Sequence, residues 1–155
     1  MQKTFFIDHI QTPIGAMEIV ANDNAVLSIH FVARTSNVKS NALTILAKTQ
    51  LRQYFESKLE QFDLPLQPAG TEFQQTVWRA LTSIPFGQTA AYADIAKLIH
   101  KPKAVRAVGN ANGKNPMTIV IPCHRIIGSD GTLTGYASGV ERKAWLLKHE
   151  SVTLF

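Results

Sequence analysis

Tyr92-Ala93-Asp94-Ile95-Ala96-Lys97-Leu98-Ile99, His100-Lys101-Pro102 and Lys103-Ala104-Val105-Arg106-Ala107-Val108-Gly109-Asn110-Ala111-Asn112 form the stretch that decides the fold. The outer segments read as two short helices. Pro102 disfavours the α region for Lys101, so the middle three residues read as a tight joint. Two short helices with such a joint predict a helix-turn-helix. The second helix is rich in alanine and glycine, and small side chains let a backbone come close to another surface. That surface is either DNA or a neighbouring helix. Arg106, a long cation among small residues, favours DNA, because arginine can replace a base by both stacking and hydrogen bonding.

Upstream, Thr71 reads as an N-cap for a helix whose buried stripe is Phe73, Val77, Leu81 and Ile84, stopped by Pro85-Phe86-Gly87. Before it, 63–70 carries two prolines and a glycine and marks a boundary. Earlier still, 41–59 reads as a helix with Leu43, Leu46, Ala47, Leu51, Tyr54 and Phe55 on one stripe. Residues 4–10, 16–21 and 25–31 read as strands of a small antiparallel meander, turned by 12–15 and 22–24. Downstream, 119–121 reads as a short buried strand and Gly128-Ser129-Asp130-Gly131 as a tight turn. A last helix starts at Gly139 or Val140, carries Val140, Ala144 and Leu147 inward, and ends near His149-Glu150. The fold class is therefore α/β (α+β), a small sheet with one helix followed by a mostly helical part.

The 155 residues allow one domain or two small ones and need no covalent staples. A 45% hydrophobic and 17% charged composition excludes disorder. One cysteine excludes an intramolecular disulfide and a cysteine-rich zinc site. No stretch reads as a signal peptide or membrane span, which predicts a soluble, cytoplasmic protein. The net charge of +5 lies wholly in residues 71–155, while 1–70 balance. A basic half beside a neutral one points to a polyanion, most simply nucleic acid.

The chemistry centres on Ile121-Pro122-Cys123-His124-Arg125. A thiolate is the nucleophilic form of cysteine, and the positive charge of His124, Arg125 and the basic half favours it. Neighbours in an extended chain point to opposite faces, so Cys123 meets His124 only if the chain turns, or through a water. A small buried hydrophobe is the bland alternative for Cys123. Glu150 falls near a helix C-terminus, where the macrodipole disfavours a carboxylate, so a donor such as His124 would account for it.

Ile121–Arg125, preceded by Gly113-Lys114-Asn115-Pro116 and followed by Gly135-Tyr136 and Trp145-Leu146-Leu147, resembles the active-site signature of the O6-alkylguanine-DNA alkyltransferases, the methylated-DNA–protein-cysteine methyltransferases. The likeness is dense from about residue 73 to residue 150. It implies a ribonuclease-H-like N-terminal subdomain over 1–67 and a winged helix-turn-helix-like, DNA-binding and alkyl-acceptor domain over 68–155. It implies Cys123 as the alkyl acceptor, His124 as the base acting through a water, and Glu150 as its orienting carboxylate. Asn115 would brace the turn, and the hydroxyl of Tyr92 would approach the flipped guanine and its phosphate. Arg106 would enter the stack in place of the flipped nucleotide, with Lys103, Ala107 and Gly109 on the same DNA-binding helix. Ile126, Tyr136, Ala137 and Ser138 would line the substrate pocket.

The implied reaction is irreversible, one-turnover transfer of an alkyl group from O6 of guanine, flipped out of duplex DNA, to Cys123. It needs no metal and no cofactor, and the protein would act as a monomer on double-stranded DNA containing O6-alkylguanine. Whether O4-alkylthymine is also repaired stays open. The chain departs from many relatives at Ala137, where serine is usual, and at Ala91, where a serine could cap the helix; the loss there is about 1 kcal/mol. Three other readings compete. A non-catalytic alkyltransferase-like lesion binder would carry tryptophan at the cysteine. A Cys–His hydrolase would need an oxyanion hole, and no glycine-rich motif supplies one. A plain helix-turn-helix regulator leaves Cys123, His124 and Glu150 unexplained.

Overall fold

The computed structural model describes residues 4–133 and 135–152, and these divide into two compact units, the first ending at Ala69 and including Pro116–Thr118, the second made of Gly70–Asn115 and the described residues from Ile119 on. In the first unit, β1 (Phe6–Thr12), β2 (Gly15–Ala21) and β3 (Val26–Phe31) form an antiparallel sheet in chain order. Alternation puts Met17, Ile19 and Ala21 of β2 in the core. Short bridges extend the ladder, from Lys39 to Ile7, from Leu66 to Val26 and from Met117 to Ile29.

Helix α1 (Ala42–Phe55) packs on this sheet. Asn41 and Thr44 cap it reciprocally, each side chain accepting the other's backbone N–H at 2.9 Å. The helix stops short of the expected residue 59. Ser57 takes a left-handed φ of 60°, and Lys58 N–H donates back to the Gln53 carbonyl at 2.8 Å. No glycine announces this stop. The buried face also differs, with Thr44, Ala47, Gln50, Leu51 and Tyr54 inward and Leu46 exposed. Gln50 repays its burial by bonding both backbone groups of Asp63 at 2.9 Å.

The second unit is helical. Helix α2 (Glu72–Leu81) begins at Thr71, which forms a capping box with Gln74. It ends before the expected proline stop, because Thr82 and Ser83 hydroxyls satisfy the Arg79 and Ala80 carbonyls at 2.5 and 2.6 Å. Trp78, absent from the expected stripe, is buried and donates Nε1–H to the Ala111 carbonyl at 2.8 Å. Its ring lies where a Cβ on residue 70 would be, so only glycine fits at Gly70.

Helices α3 (Tyr92–Leu98) and α4 (Val105–Gly113) form the expected pair around the His100–Pro102 joint. Ala91 provides no side-chain cap, but Asp94 accepts the Ala91 N–H at 2.8 Å. A two-residue strand β4 (Ala90–Ala91) pairs in parallel with β5 (Ile126–Ile127), a pairing the sequence did not suggest. The Gly128–Gly131 turn is present, closed by Gly131 N–H on the Gly128 carbonyl at 2.9 Å.

Two further expectations are corrected. Ile119 and Ile121 are buried and Val120 half-buried, but 119–120 form a turn instead of a strand, with Ile119 at φ 74°. In α5 (Val140–His149) the inward residues are Lys143, Leu146 and Leu147, while Val140 is exposed. Val140 occupies the first turn, one turn short of the packed stripe.

Candidate active site

Among the described residues the second unit buries six polar side chains, and five of them, Asn115, His124, Arg125, Lys143 and Glu150, form a group with the segment that carries Cys123, the sixth being Asn112. The five come from three places, the turn after α4, the segment of Cys123, and one face of α5. A β-branched residue at positive φ is strained, so Ile119 marks a turn held by other interactions. Asn115 supplies one, donating Nδ2–H to the Ile121 carbonyl at 2.8 Å. The same amide lies 3.1 Å from Cys123 Sγ. The residue expected to brace the turn therefore also touches the thiol.

Cys123–Arg125 forms a single 3-10 turn, entered from Pro122. The chain does turn here, but no hydrogen bond joins Cys123 to His124 among the described residues. His124 reaches the other way, its Nε2 2.8 Å from Glu150 Oε2, with both side chains fully buried. A carboxylate only accepts, so Nε2 carries the proton and the neutral ring presents Nδ1 as an acceptor. That Nδ1 is buried and meets no hydrogen-bond partner among the described residues. A proton from the thiol reaches it only through an intermediary such as water.

Arg125 does not face the thiol, contrary to expectation. Its Nε and Nη2 donate to Glu150 at 2.8 and 3.1 Å, and Nη1 donates to the Ile84 carbonyl at 2.7 Å. The cation that acts on Cys123 is Lys143, a buried residue one turn before Leu146 and Leu147 on α5. The sequence reading missed it. The available signal was that Lys143 and Glu150 occupy positions of the apolar stripe, where a charge is costly unless it is used.

The electrostatics follow from burial. Burial pushes the Cys123 thiol up, and the Asn115 amide, Lys143 and the Tyr136 hydroxyl only partly offset it. The resting site therefore favours a thiol, where the basic sequence context suggested a thiolate. Burial likewise lowers His124, against the pull of Glu150, and pulls Lys143 down to about 8. Glu150 runs against its own burial: hydrogen bonds and charge from His124 and Arg125 hold its carboxyl well below the usual carboxylate range. Burial raises Tyr136, and so does the charge of Cys123. The Tyr136 hydroxyl acts on the sulfur electrostatically but makes no hydrogen bond of good geometry among the described residues.

The other predicted residues fall into two groups. Tyr136 is buried, while Ala137 is exposed and Ser138 half-buried. Ile126 caps the active turn, its N–H donating to the Cys123 carbonyl, which Asn112 Nδ2 also approaches at 3.5 Å. Lys103, Arg106 and Ala107 lie exposed along α4 and just before it. Gly109 sits under the Tyr92 ring, where a Cβ would touch it at 3.7 Å. Gly135, at φ 59°, lies by the Tyr92 hydroxyl, and a Cβ there would stand 3.4 Å from it. Tyr92 therefore packs against both α4 and the loop that carries Tyr136. Among the described residues no cluster of histidine, cysteine and carboxylate groups could hold a metal ion, and no helix is long and apolar enough to cross a membrane.

Comparison with known proteins places this geometry. A family described as 6-O-methylguanine DNA methyltransferase, DNA binding domain, matches residues 72–152. A second, its ribonuclease-like domain, matches residues 6–68. The chain is 47% identical over 156 residues to a methylated-DNA–protein-cysteine methyltransferase of Methanosarcina barkeri, covering 96% of this chain and 99% of that protein. It is 53% identical over 168 residues to a protein of the same name from Shigella flexneri, covering 95% and 96%. A crystal structure of Mycobacterium tuberculosis OGT in complex with DNA superposes with a TM-score of 0.85 at 42% identity, covering 92% of this chain and 90% of that one.

Proposed function

The chain belongs to the 6-O-methylguanine DNA methyltransferase family, and we propose that Cys123 is the residue that receives the alkyl group. The protein repairs DNA by direct reversal, moving an alkyl group from O6 of guanine to a cysteine, and its partner is DNA. One observation carries the assignment of Cys123. The chain's sole cysteine lies beside a fully buried His124–Glu150 pair whose neutral imidazole keeps an Nδ1 with no hydrogen-bond partner among the described residues. Residues 1–67 serve as the ribonuclease-H-like subdomain and 68–155 as the DNA-binding and acceptor domain. The protein works as a monomer in the cytoplasm.

The site's residues divide the work. The O6 atom is inaccessible within a duplex, so the base leaves the stack. Arg106 fills the gap, while Lys103, Ala107 and Gly109 let α4 lie close to the DNA. Contacts of this kind lean on phosphates and tolerate sequence, as lesion repair requires. Ile126, Tyr136, Ala137 and Ser138 bound the pocket; Ala137 retains the backbone N–H that faces the guanine oxygen. The thiol proton passes through water to His124 Nδ1, with Glu150 steadying the ring. Asn115 and Lys143 stabilise the thiolate while it attacks the alkyl carbon. The C–O bond breaks as the C–S bond forms, and Tyr92 supplies a proton to the departing guanine.

The test separates chemistry from binding. Cys123→Ser is expected to bind methylated duplex and transfer nothing. Transfer by the serine variant at the parental rate would remove Cys123 from the mechanism. Arg106→Ala is expected to slow repair of duplex more than reaction with free O6-alkylguanine base, which needs no flipping. Equal slowing on both substrates would refute the stack-filling role.

A further inference from the structure

We infer that Arg125 is a positioning residue for alkyl transfer: its grip on Glu150 leaves His124 a neutral base with Nδ1 open. The inference rests on the reading of Cys123 as acceptor, and it concerns a residue whose sequence neighbours suggested a different job.

Both Glu150 oxygens accept hydrogen bonds. Oε1 accepts from Arg125 Nε at 2.8 Å, and Oε2 accepts from both Arg125 Nη2 at 3.1 Å and His124 Nε2 at 2.8 Å. The guanidinium is itself fixed, by the Ile84 carbonyl at 2.7 Å and by the Phe86 ring 5.8 Å below it. A planar fork of this kind defines the orientation of the carboxylate as well as its charge. The imidazole then has one place to donate, and its tautomer follows.

The charge balance around the ring has the same consequence. A buried carboxylate alone, 2.8 Å from an imidazole, would draw a second proton onto the ring. An imidazolium cannot take the thiol proton. The groups that act on His124 are Glu150 and Lys143 from α5 and Arg125 from its own turn. Cys123 precedes it, and the Tyr136 hydroxyl faces that sulfur. With Arg125 spending its charge on Glu150, and Lys143 nearby, a further positive charge on the ring is disfavoured. Arg125 thus offsets the side effect of the carboxylate while keeping its orienting bond.

His124 ring-proton NMR shifts against pH test this, together with single-turnover methyl transfer over the same range. Arg125→Gln removes the charge and is expected to raise the His124 midpoint by about one pH unit or more. Methyl transfer near neutral pH should slow about tenfold and recover as pH rises, which a merely structural loss would not do. Arg125→Lys keeps the charge, and its midpoint should stay much closer to the parental one.

Arg125→Gln leaves Glu150 buried and unpaired, so it can fail to fold. The double variant Arg125→Gln/Glu150→Gln removes both charges together and is expected to titrate at or below the parental midpoint. An unmoved midpoint in a folded Arg125→Gln, or a raised one in the double variant, would overturn the inference. The titration needs no transfer, so that result leaves Cys123 standing. Transfer by Cys123→Ser would sink the acceptor reading while the titration still stood.

Discussion

Each unit of the molecule contains a histidine–glutamate pair, and the two pairs differ instructively. In the sheet unit, His9 Nε2 lies 3.3 Å from Glu18 Oε2, and Glu18 is 27% exposed. Ser36 shares both partners, its N–H meeting His9 Nε2 at 3.3 Å and its hydroxyl meeting Glu18 at 3.4 Å. In the helical unit, His124 and Glu150 meet at 2.8 Å with neither exposed, and a bidentate arginine completes the group. The residue types are the same. What separates a strand-pairing contact from a chemical site is full burial, an arginine cation on the carboxylate, and a nucleophile in the adjacent position.

Removing the carboxylate from each pair should give the largest contrast. Glu150→Gln leaves Arg125 buried without its counter-charge and should cost about 3–5 kcal/mol in urea unfolding. Glu18→Gln should cost less than about 1 kcal/mol. Equal losses would erase the distinction between the pairs.

Acid should act on the helical unit in two stages. His124 is held below its unfolded value near 6.5, so the unfolded chain binds more protons below that pH and stability falls as pH drops through it. Glu150 is held below its unfolded value of about 4.3. Its contribution is complete above that pH and is lost progressively below it. Unfolding free energy measured from pH 8 to pH 3 should therefore decline below about 6.5 and more steeply below about 4.3. Glu150→Gln should flatten the lower limb; a lower limb as steep as the parent's would assign the acid loss elsewhere.

A smaller effect is expected from the lysines. Lys143→Met should move the pH midpoint of Cys123 alkylation by iodoacetamide upward by roughly 0.5–1 unit, because a cation that favours the thiolate is gone. Lys48→Met, which loses only the 3.4 Å contact to Asp8 in the other unit, should leave that midpoint unmoved. A shift with Lys48 but none with Lys143 would reverse the assignment. The smallest effect is a gain. Ala91→Ser supplies the missing N-cap hydroxyl on α3 and should add about 0.5–1 kcal/mol. No gain would mean that the Asp94 bond to Ala91 N–H already suffices.

Much of this was legible from the sequence because it rests on local rules. Alternation in β2, the cap at Thr71, and Pro102 in the joint each carry a short-range signal that the structure obeys. The failures share a different cause. Ser57 and Ile119 adopt positive φ without glycine, Ser57 where its N–H and that of Lys58 close on the Tyr54 and Gln53 carbonyls and Ile119 in the turn braced by the Asn115 amide, so no glycine announces either. The β4–β5 pair joins residues 35 or more positions apart through two hydrogen-bonded residues each, too short for any periodicity. At the site, Cys123, His124 and Glu150 were visible as chemistry. Arg125 and Lys143 were read as general basic context, because sequence order cannot say which charge a cation meets.

The central claim is that Cys123 takes one alkyl group and keeps it. A thioether has no ready leaving group, and thiol exchange attacks disulfide sulfur, not alkyl carbon. With a single cysteine in the chain, no second thiol can relay the group. Limiting protein should be mixed with excess O6-methylguanine duplex, and intact and peptide masses followed with time. The account predicts a plateau at one methyl per chain, on the Cys123 peptide. The methylated protein should also melt lower, because an added group in a packed site typically costs about 1–3 kcal/mol. Turnover beyond one methyl per chain, or a methyl on any other residue, would contradict it.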